Sequence, residues 1–209
     1  MKQIYLAVTG TMGSGKSTVA RLLAKKLNFQ LLEENFGENA FLPRFYKDMP
    51  RWAFHSQTFF LMEKITQMLT AKEELKRVSV IQDVPIQQDV FSYAKAQYVL
   101  GHMDDAQWRL YLKIYRSFAS NFPNPDVIIY LKTSLAVVEK RISARARRFE
   151  KQVPEGYLEV LEMLNESWMK KETNGAKTII IDTDPLNLVR TKMDIDRFVS
   201  IVRKELSYG

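Results

Sequence analysis

The 209-residue sequence predicts an α/β fold in which helices cover both faces of a five-stranded parallel sheet. Five short apolar runs have the length and composition of buried strands. Segments with helical spacing of apolar residues separate these runs, and strands that alternate with helices form parallel sheets. A glycine-rich motif between the first strand and the first helix is typical of the same three-layer class.

The elements follow one another along the chain with little interruption. Apolar runs predict strands at 4–9, 29–32, 78–81, 127–131 and 178–181. Apolar spacing and stop signals predict helices at 16–27, 52–75, 104–118, 135–145, 154–170 and 186–206. Met49-Pro50 is interpreted as a turn before the longest helix. No linker-like stretch divides the sequence, so we expect a single domain over residues 1–209.

Composition excludes several classes of protein. There is no cysteine, so a disulfide framework, a thiolate metal site and a cysteine nucleophile are impossible. The longest apolar runs are far shorter than the roughly 18 residues that a membrane span needs, and we expect a cytoplasmic protein with no membrane partner. The net charge of +7 alone is compatible with nucleic acid, an anionic lipid surface or a phosphorylated small molecule.

The glycine-rich motif has the spacing of a phosphate-binding loop, G-x-x-x-x-G-K-[ST], between a predicted strand and a predicted helix. Its glycines let the main chain turn so that N–H groups point at phosphate oxygens, and the helix N-terminus adds a positive dipole end. The motif therefore predicts a site for ATP or GTP. The residues expected to hold the nucleotide are Gly10, Met12, Gly13, Ser14, Gly15, Lys16, Ser17 and Thr18.

Two side chains are candidate ligands of Mg²⁺. A hydroxyl at the end of a phosphate loop commonly ligates this ion, and Ser17 has that position. Asp83 follows an apolar strand and is placed like the acidic residue that organises Mg²⁺ beside such a loop, although it could also cap the strand. Magnesium is therefore expected with the nucleotide.

A basic segment at residues 139–151 holds six basic and two acidic residues, or +4 of the total +7. It could be a solvated helix face or a nucleic-acid patch. Aromatic residues do not interleave with its arginines, which disfavours nucleic acid as a partner. We interpret residues 141–152 as an Arg-rich lid that closes over the transferring phosphoryl group and neutralises its charge.

Motifs along nearly the whole chain resemble the deoxynucleoside kinase family, in particular its deoxycytidine and purine deoxynucleoside branch. The resemblance is specific because many short motifs occur in the same order and spacing. Besides the phosphate loop they are Leu31-Leu-Glu-Glu34, Phe45-Tyr46, Pro50-Arg-Trp52, Gln57-Thr58, Asp83 with Asp89, Ile129-Tyr-Leu131, Arg141 through Glu150, Tyr157-Leu-Glu159 and Asn165-Glu-Ser-Trp168.

The resemblance implies roles on the acceptor side. Glu34 matches the general base for the sugar 5′-hydroxyl, and its position just past the second strand, facing the phosphate loop, suits that role independently. Tyr46 and Glu150 match the pair that holds the 3′-hydroxyl. Gln57 matches the amide that contacts the base edge, and Asp89 the residue that recognises an exocyclic amino group.

The resemblance also implies roles on the donor side. Lys16, Arg145 and Arg147 are expected to stabilise the transferred charge, and Arg141 to contact the donor nucleotide with them. Asp182 and Asp184 match the loop against which the donor adenine rests.

Three positions depart from the family pattern. Val84-Pro85 stands where the family has Arg-Ser directly after the strand-end acid. Lys64 stands where the amine-recognising branch carries arginine, so the charge is kept without the bidentate fork. Asn35 replaces the usual proline after the catalytic glutamate. A different cation, namely Lys64, Arg44 or Arg51, could substitute for the missing arginine, or the activity could be weak, shifted or lost.

The expected function is transfer of the γ-phosphoryl group of ATP·Mg²⁺ to the 5′-hydroxyl of deoxyadenosine or deoxyguanosine, with deoxycytidine next. The same resemblance implies a homodimer. Two alternatives remain open at this point. One is a kinase for another small acceptor, such as a nucleoside monophosphate; the other is a catalytically weak nucleotide-binding regulatory subunit.

Overall fold

The computed structural model describes residues 2–34, 36–145, 153–154, 156–171, 173 and 175–207. The strands are β1 (Tyr5–Thr9), β2 (Gln30–Leu32), β3 (Val80–Asp83), β4 (Val127–Lys132) and β5 (Lys177–Asp182). The helices are α1 (Lys16–Leu27), α2 (Leu42–Phe45), α3 (Met49–Glu74), α4 (Ile86–Gln88), α5 (Lys95–Val99), α6 (Asp105–Ala119), α7 (Leu135–Arg145), α8 (Tyr157–Lys171) and α9 (Lys192–Ser207).

All five strands lie parallel in one sheet with the order β2-β3-β1-β4-β5. The central strand β1 pairs with β3 on one side and β4 on the other, so the order reverses at β1. The carboxyl ends of all five strands meet at one edge of the sheet, and ligands of open α/β sheets bind at such an edge beside the reversal point. The predicted three-layer α/β fold is confirmed.

Alternation along β1 separates the two core layers. Leu6 and Val8 pack on one face against α1 and α9, whose Leu23 and Phe198 are fully buried. Tyr5 and Ala7 point to the other face, where the core includes α3, α6 and α8. Because both faces of the sheet are covered, the inner strands β1, β3 and β4 are buried along nearly their whole length, whereas the edge strand β5 alternates buried and exposed residues.

Helix α3 differs from its prediction at its N-terminus. Met49-Pro50 is the first turn of the helix and not a separate turn. The Asp48 carboxylate caps the helix by accepting a hydrogen bond from the Arg51 backbone N–H (3.3 Å), and proline is tolerated there because its missing N–H has no partner in the first turn.

Helix α9 begins at Lys192, so the prediction of a helix from residue 186 was wrong. The Asn187 side chain accepts hydrogen bonds from the backbone N–H groups of Val189 and Arg190. This local capping favours a turn over helix. Residues 186–190 instead line the cavity described below.

The segment between β3 and α6 contains helices that the sequence analysis missed. Helices α4 and α5 are joined by a π-helical stretch, Asp89–Ala94, so Ile86–Val99 runs as one continuous helical segment. The apolar residues of this segment follow neither a clear helical nor a clear strand period, so the sequence did not predict a helix there. π-Helical turns are rare in proteins as a whole but are often found at functional sites, and this one begins at Asp89.

None of the helices among the described residues combines the length and apolar character needed to cross a bilayer.

Candidate active site

A cavity of about 990 Å³ lies at the carboxyl edge of the sheet. Its volume is at the upper end of the range for small-molecule sites. One end of the cavity is lined by the phosphate loop, by α7 and by the segment after β5, which together we call the donor side. The other end is lined by residues after β2 and β3 and by α2 and α3, which we call the acceptor side. The cavity therefore connects the phosphate loop to a second compartment.

The phosphate loop has a conformation that its glycines allow. Gly13 has φ +84°, and a Cβ placed there would lie 2.9 Å from Cγ1 of Ile142 and 3.1 Å from the Val138 carbonyl. Glycine at this position therefore permits both the left-handed turn and close contact between the loop and α7. Gly15, at φ +100°, leads into the first turn of α1. All the predicted loop residues except Gly10 line the cavity.

The Lys16 ammonium lies within the loop. It donates hydrogen bonds to the carbonyls of Gly10 (2.9 Å) and Thr11 (3.1 Å) and to the Tyr93 hydroxyl (3.0 Å). A lysine tail is long enough to swing from these neutral acceptors to phosphate oxygens, which bind an ammonium more strongly.

A buried polar network supports the loop from the core side, and the sequence analysis missed it. The Gln88 amide donates to the Gly10 carbonyl (2.7 Å) and to the Asn165 side chain (2.8 Å), and its oxygen accepts from the Thr9 hydroxyl (2.7 Å). Asn165 in turn donates to the Thr11 hydroxyl (3.4 Å). Gln88 and Asn165 thereby hold the first turn of the loop in place.

On the acceptor side, four buried residues form what we call the acceptor cluster: Glu34, Lys64, Asp83 and Asp89. The Lys64 ammonium lies 3.5 Å from Oε1 of Glu34 and 4.0 Å from Oδ2 of Asp89, and it donates to the Asp83 backbone carbonyl (2.9 Å). These residues come from the end of β2, from α3, from the end of β3 and from the π-helical stretch. Their assembly depends on the tertiary fold.

Burial and mutual charge shift the pKa values of this cluster. Burial raises the pKa of Glu34, and Asp83 raises it further, against the opposing effect of Lys64 and Lys16. Burial likewise raises the pKa of Asp89 well above its usual range, against the opposing effect of Lys64. Burial alone would lower the pKa of Lys64, but the carboxylates, Glu34 foremost, raise it on balance. Lys64 therefore stays charged.

Two further acceptor-side predictions, Tyr46 and Gln57, lie where a ligand in the cavity would contact them. Tyr46 and Gln57 line the cavity, and the Tyr46 hydroxyl contacts the sulfur of Met12 (3.5 Å). Phe60 and Tyr157 line the same compartment. Aromatic and amide groups together suit a flat, polar-edged ring.

Of the cations proposed to replace the missing arginine, Lys64 contacts Glu34. The guanidinium groups of Arg44 and Arg51 instead stack on the Trp52 ring at 4.9 and 5.5 Å. Val84 itself is buried, lines the cavity, and has φ +65°, which is uncommon for a β-branched residue. The charge in this region thus comes from α3 and not from the residue after β3.

The candidate magnesium ligands fit a cation. Ser17, in the first turn of α1, and Asp83, at the end of β3, both line the cavity. Both carboxylate oxygens of Asp83 are buried and have no hydrogen-bond partner within the described part of the chain. Buried carboxylates without partners are rare, and oxygen ligands are those that Mg²⁺ prefers.

On the donor side, Arg141 joins the phosphate loop to the turn after β5. It donates to the Ser14 carbonyl (3.0 Å) and to the hydroxyl (3.2 Å) and carbonyl (2.9 Å) of Thr183. Asp184 lines the cavity and accepts from the Ser134 backbone N–H (2.9 Å). The side-chain hydrogen bond with Ser134, followed by this backbone hydrogen bond, lowers the pKa of that carboxyl. Asp182 is exposed and supports this turn by accepting from the Asp184 N–H (3.0 Å).

Part of the predicted lid lies outside the described residues. Arg147 and Glu150 are among these, and Arg145 ends α7 without a described side chain. Conversely, the cavity is lined by Lys140 and by residues 186–190, which the sequence analysis had not singled out. The Asn187 turn signal could have identified the latter segment as a loop.

A phosphate loop that opens into a pocket with a buried carboxylate at its far end defines a phosphate-loop kinase of a small acceptor. Comparison with known proteins agrees with this class. A family model described as deoxynucleoside kinase matches residues 6–207, and the chain belongs to this family. It is therefore an enzyme that transfers a phosphoryl group to an alcohol, and the alternative functions are not favoured.

The chain is similar over nearly its whole length to individual members. It is 31% identical to a deoxyadenosine/deoxycytidine kinase of Bacillus subtilis (strain 168), with 95% of this chain and 91% of that relative covered. It is 29% identical to a deoxyguanosine kinase of the same organism, with 96% of each covered. A structure of deoxyadenosine kinase from M. mycoides, with products dCMP and a flexible dCDP bound, superposes with a TM-score of 0.82 at 26% identity and covers 96% of this chain and 100% of that one.

Proposed function

We propose that this enzyme transfers the γ-phosphoryl group of ATP to the 5′-hydroxyl of a purine deoxynucleoside or deoxycytidine, with Glu34 as general base. The observation that supports this most is the position of Glu34, buried in the same cavity as the phosphate loop and paired with Lys64. The similar kinases from B. subtilis act on deoxyadenosine, deoxycytidine and deoxyguanosine, as their names state.

The proposed step is a proton transfer coupled to an in-line displacement. Glu34 accepts the proton of the 5′-hydroxyl, and the resulting oxygen nucleophile forms a bond to the γ-phosphorus. The bond between that phosphorus and the β–γ bridging oxygen breaks, which releases ADP and the nucleoside 5′-monophosphate. The raised pKa of Glu34 makes it a better proton acceptor than an ordinary glutamate.

Charge stabilisation comes from the donor side. The backbone N–H groups of the phosphate loop and the Lys16 ammonium face the phosphates. Ser17 and Asp83 are proposed to hold the Mg²⁺ that accompanies ATP, which when bound neutralises phosphate charge. Arg141 orders the loop, and Arg145 and Arg147 remain proposed contributors to charge neutralisation.

Recognition of the acceptor is assigned to the remaining residues of the cavity. Gln57 is proposed to contact the base edge and Asp89 an exocyclic amino group, which suits adenine, guanine and cytosine. Tyr46 is proposed to hold the 3′-hydroxyl together with Glu150. Asp184 and its supporting residue Asp182 are proposed to form the wall beside the donor adenine.

A substrate panel tests this proposal. Four deoxynucleosides, four ribonucleosides and their 5′-monophosphates are incubated with ATP labelled at the γ-position, and labelled products are separated. We expect label on deoxyadenosine, deoxyguanosine or deoxycytidine. Binding of ATP without transfer to any compound, or transfer only to monophosphates, contradicts the proposal.

We also retain the homodimer and the cytoplasmic location as proposals. The outer surfaces of α3 and α6, which pack side by side, expose Met62 and Leu69 on α3 and Leu110 on α6. Large apolar side chains grouped on neighbouring helices favour a protein–protein contact. Light scattering should give twice the chain mass, and Leu110→Glu should lower it; a monomeric mass for the unaltered protein contradicts the dimer.

A further inference from the structure

Lys64 is placed between the two carboxylates that the proposed function uses for different purposes. Its side chain has no exposed surface. The ammonium lies 3.5 Å from Glu34, the proposed base, and 4.0 Å from Asp89, the proposed contact of the amino group. A strong charge-assisted hydrogen bond has a donor–acceptor distance of about 2.7–2.9 Å. The ammonium is thus shared between both carboxylates and bonded closely to neither.

The ammonium also has a fixed anchor. It donates to the backbone carbonyl of Asp83 (2.9 Å) and lies 3.4 Å from the Gln67 side-chain oxygen. The Gln67 amide is itself held by the carbonyl of Glu33 (3.0 Å). An ammonium has three donors, so two can stay on these anchors while the third turns toward Glu34 or toward Asp89.

One carboxylate oxygen of Asp89 has no hydrogen-bond donor among the described residues. Its Oδ2 is buried and makes no hydrogen bond among the described residues. Its paired cation is the Lys64 ammonium at 4.0 Å, and a buried carboxylate without a hydrogen bond is costly, so it attracts that ammonium. As long as Oδ2 of Asp89 accepts no hydrogen bond, Asp89 competes with Glu34 for Lys64.

We propose that Lys64 couples recognition of the base to catalysis. When an amino group of the base donates to Asp89, that carboxylate is satisfied and Lys64 shifts to Glu34. The shift orients the Glu34 carboxylate for the 5′-hydroxyl. Lys64 is a positioning residue in this scheme, and the inference rests on the proposed function of Glu34 and Asp89.

The coupling predicts a particular kinetic signature. If the amino group only contributed binding energy, a nucleoside without it would bind more weakly and react at the same rate once saturating. If it also releases Lys64 to Glu34, the rate of the bound complex falls too. Specificity for amine-bearing bases is then expressed in the chemical step as well as in the KM.

The test compares deoxyadenosine with purine 2′-deoxyriboside, which carries hydrogen in place of the amino group. Single-turnover rates are measured at saturating nucleoside, so that binding differences are removed. We expect the unaltered enzyme to transfer phosphate to deoxyadenosine about tenfold faster or more, the size of one charge-assisted hydrogen bond. In Asp89→Asn, where no charged competitor remains, the two rates should agree within about twofold.

Variants at residue 64 complete the test. Lys64→Met should react slowly with both nucleosides and show no rate difference, whereas Lys64→Arg should retain the difference because a cation remains. Lys72→Met, at an exposed lysine on the same helix, is the matched control and should behave as the unaltered enzyme. If Lys64→Met does not fold, the unaltered enzyme and Asp89→Asn still decide the question.

Failure of the inference and failure of the proposed function give different results. Equal single-turnover rates for the two nucleosides in the unaltered enzyme, with a difference in KM only, overturn the coupling and leave the kinase assignment intact. A persistent rate difference in Asp89→Asn also overturns it. Failure to phosphorylate any deoxynucleoside contradicts the proposed function itself.

Discussion

The two sides of the cavity are built in different ways. The donor side comes mainly from one continuous stretch, residues 10–18, whose main chain is aimed at phosphate by glycines and by the start of α1. The acceptor side is a set of buried charged side chains from four separate elements. The donor side thus depends on local backbone conformation, and the acceptor side on long-range packing and a low-dielectric environment.

This difference explains how each side sets its electrostatics. Main-chain dipoles on the donor side keep their orientation at any pH. In the acceptor cluster, three carboxylates surround one fully buried lysine, so burial and mutual repulsion raise the pKa values of Glu34 and Asp89. Substitutions that change a charge should therefore have their largest effects on catalysis when they are made on the acceptor side. Substitutions that remove hydrogen bonds beneath the phosphate loop should affect the use of ATP and not of the nucleoside.

The largest effect is expected for Glu34→Gln. An amide cannot accept the hydroxyl proton, so kcat should fall by about 10²–10⁴-fold while ATP binding persists. The same change removes one carboxylate from a cluster with more acidic than basic groups, so the free energy of unfolding at neutral pH should stay equal or rise. Kinetics and thermal unfolding measure the two effects.

Glu33→Gln is the matched control for that variant. Glu33 pairs with Arg21 at the surface, outside the acceptor cluster, and its change should alter kcat by less than about threefold. Comparable losses of activity in both variants would show that Glu34 is not specifically the base.

The fall in rate at low pH should reflect the protonation of buried Glu34. The base acts in its deprotonated form, and its pKa lies above the usual 4.5 because of burial and Asp83, with Lys64 and Lys16 opposing. The rate should therefore rise as the pH rises through a midpoint above 4.5, changing about tenfold per pH unit well below it.

Removing the opposing cation sharpens that prediction. In Lys64→Met the pKa of Glu34 should rise further, so the midpoint of kcat/KM should move to higher pH. The sign is tested by single-turnover profiles from about pH 4.5 to 8. A midpoint at or below 4.5 in the unaltered enzyme would mean that another group controls the limb.

On the donor side, Gln88→Leu should raise the KM for ATP. The change leaves the Gly10 carbonyl and the Thr9 hydroxyl without their buried partner, which should destabilise the fold by about 2 kcal/mol. A less ordered loop should raise the KM for ATP by about tenfold and leave that for the nucleoside nearly unchanged.

Gln87→Leu provides the comparison. Gln87 is also buried, but its side-chain oxygen lacks a hydrogen-bond partner among the described residues, so removing it should be neutral or stabilising. If both variants lose the same stability and ATP affinity, the network under the loop has no special role.

The contrast between the two sides also explains what could be predicted from the sequence. A contiguous motif between a strand and a helix identifies a phosphate site because spacing alone determines its geometry. Asp89 could be proposed only through the family resemblance. The position of Glu34 after the second strand also suggested its role, but no local pattern places two residues 55 positions apart beside one lysine. The Gln88 network was missed for the same reason. Residues 186–190 were missed because their apolar residues fit the helical period of α9, and the sequence analysis therefore began that helix at residue 186. The Asn187 side chain instead stabilises a turn, so the helix begins only after it.

The smallest effect is expected where the sequence departs most visibly from its family. Restoring the arginine in Val84→Arg should change kcat by less than about threefold, because Lys64 already pairs with Glu34 and φ +65° at this position is unfavourable for arginine as well. In a Lys64→Met background the same substitution should raise kcat several-fold, since it returns a cation to the site. The two backgrounds form a double-mutant cycle in which a non-additive gain identifies Lys64 as the replacement for the arginine. An equal gain in kcat in both backgrounds would mean that the two cations act independently. It would also mean that a second positive charge on the acceptor side increases the rate of this enzyme.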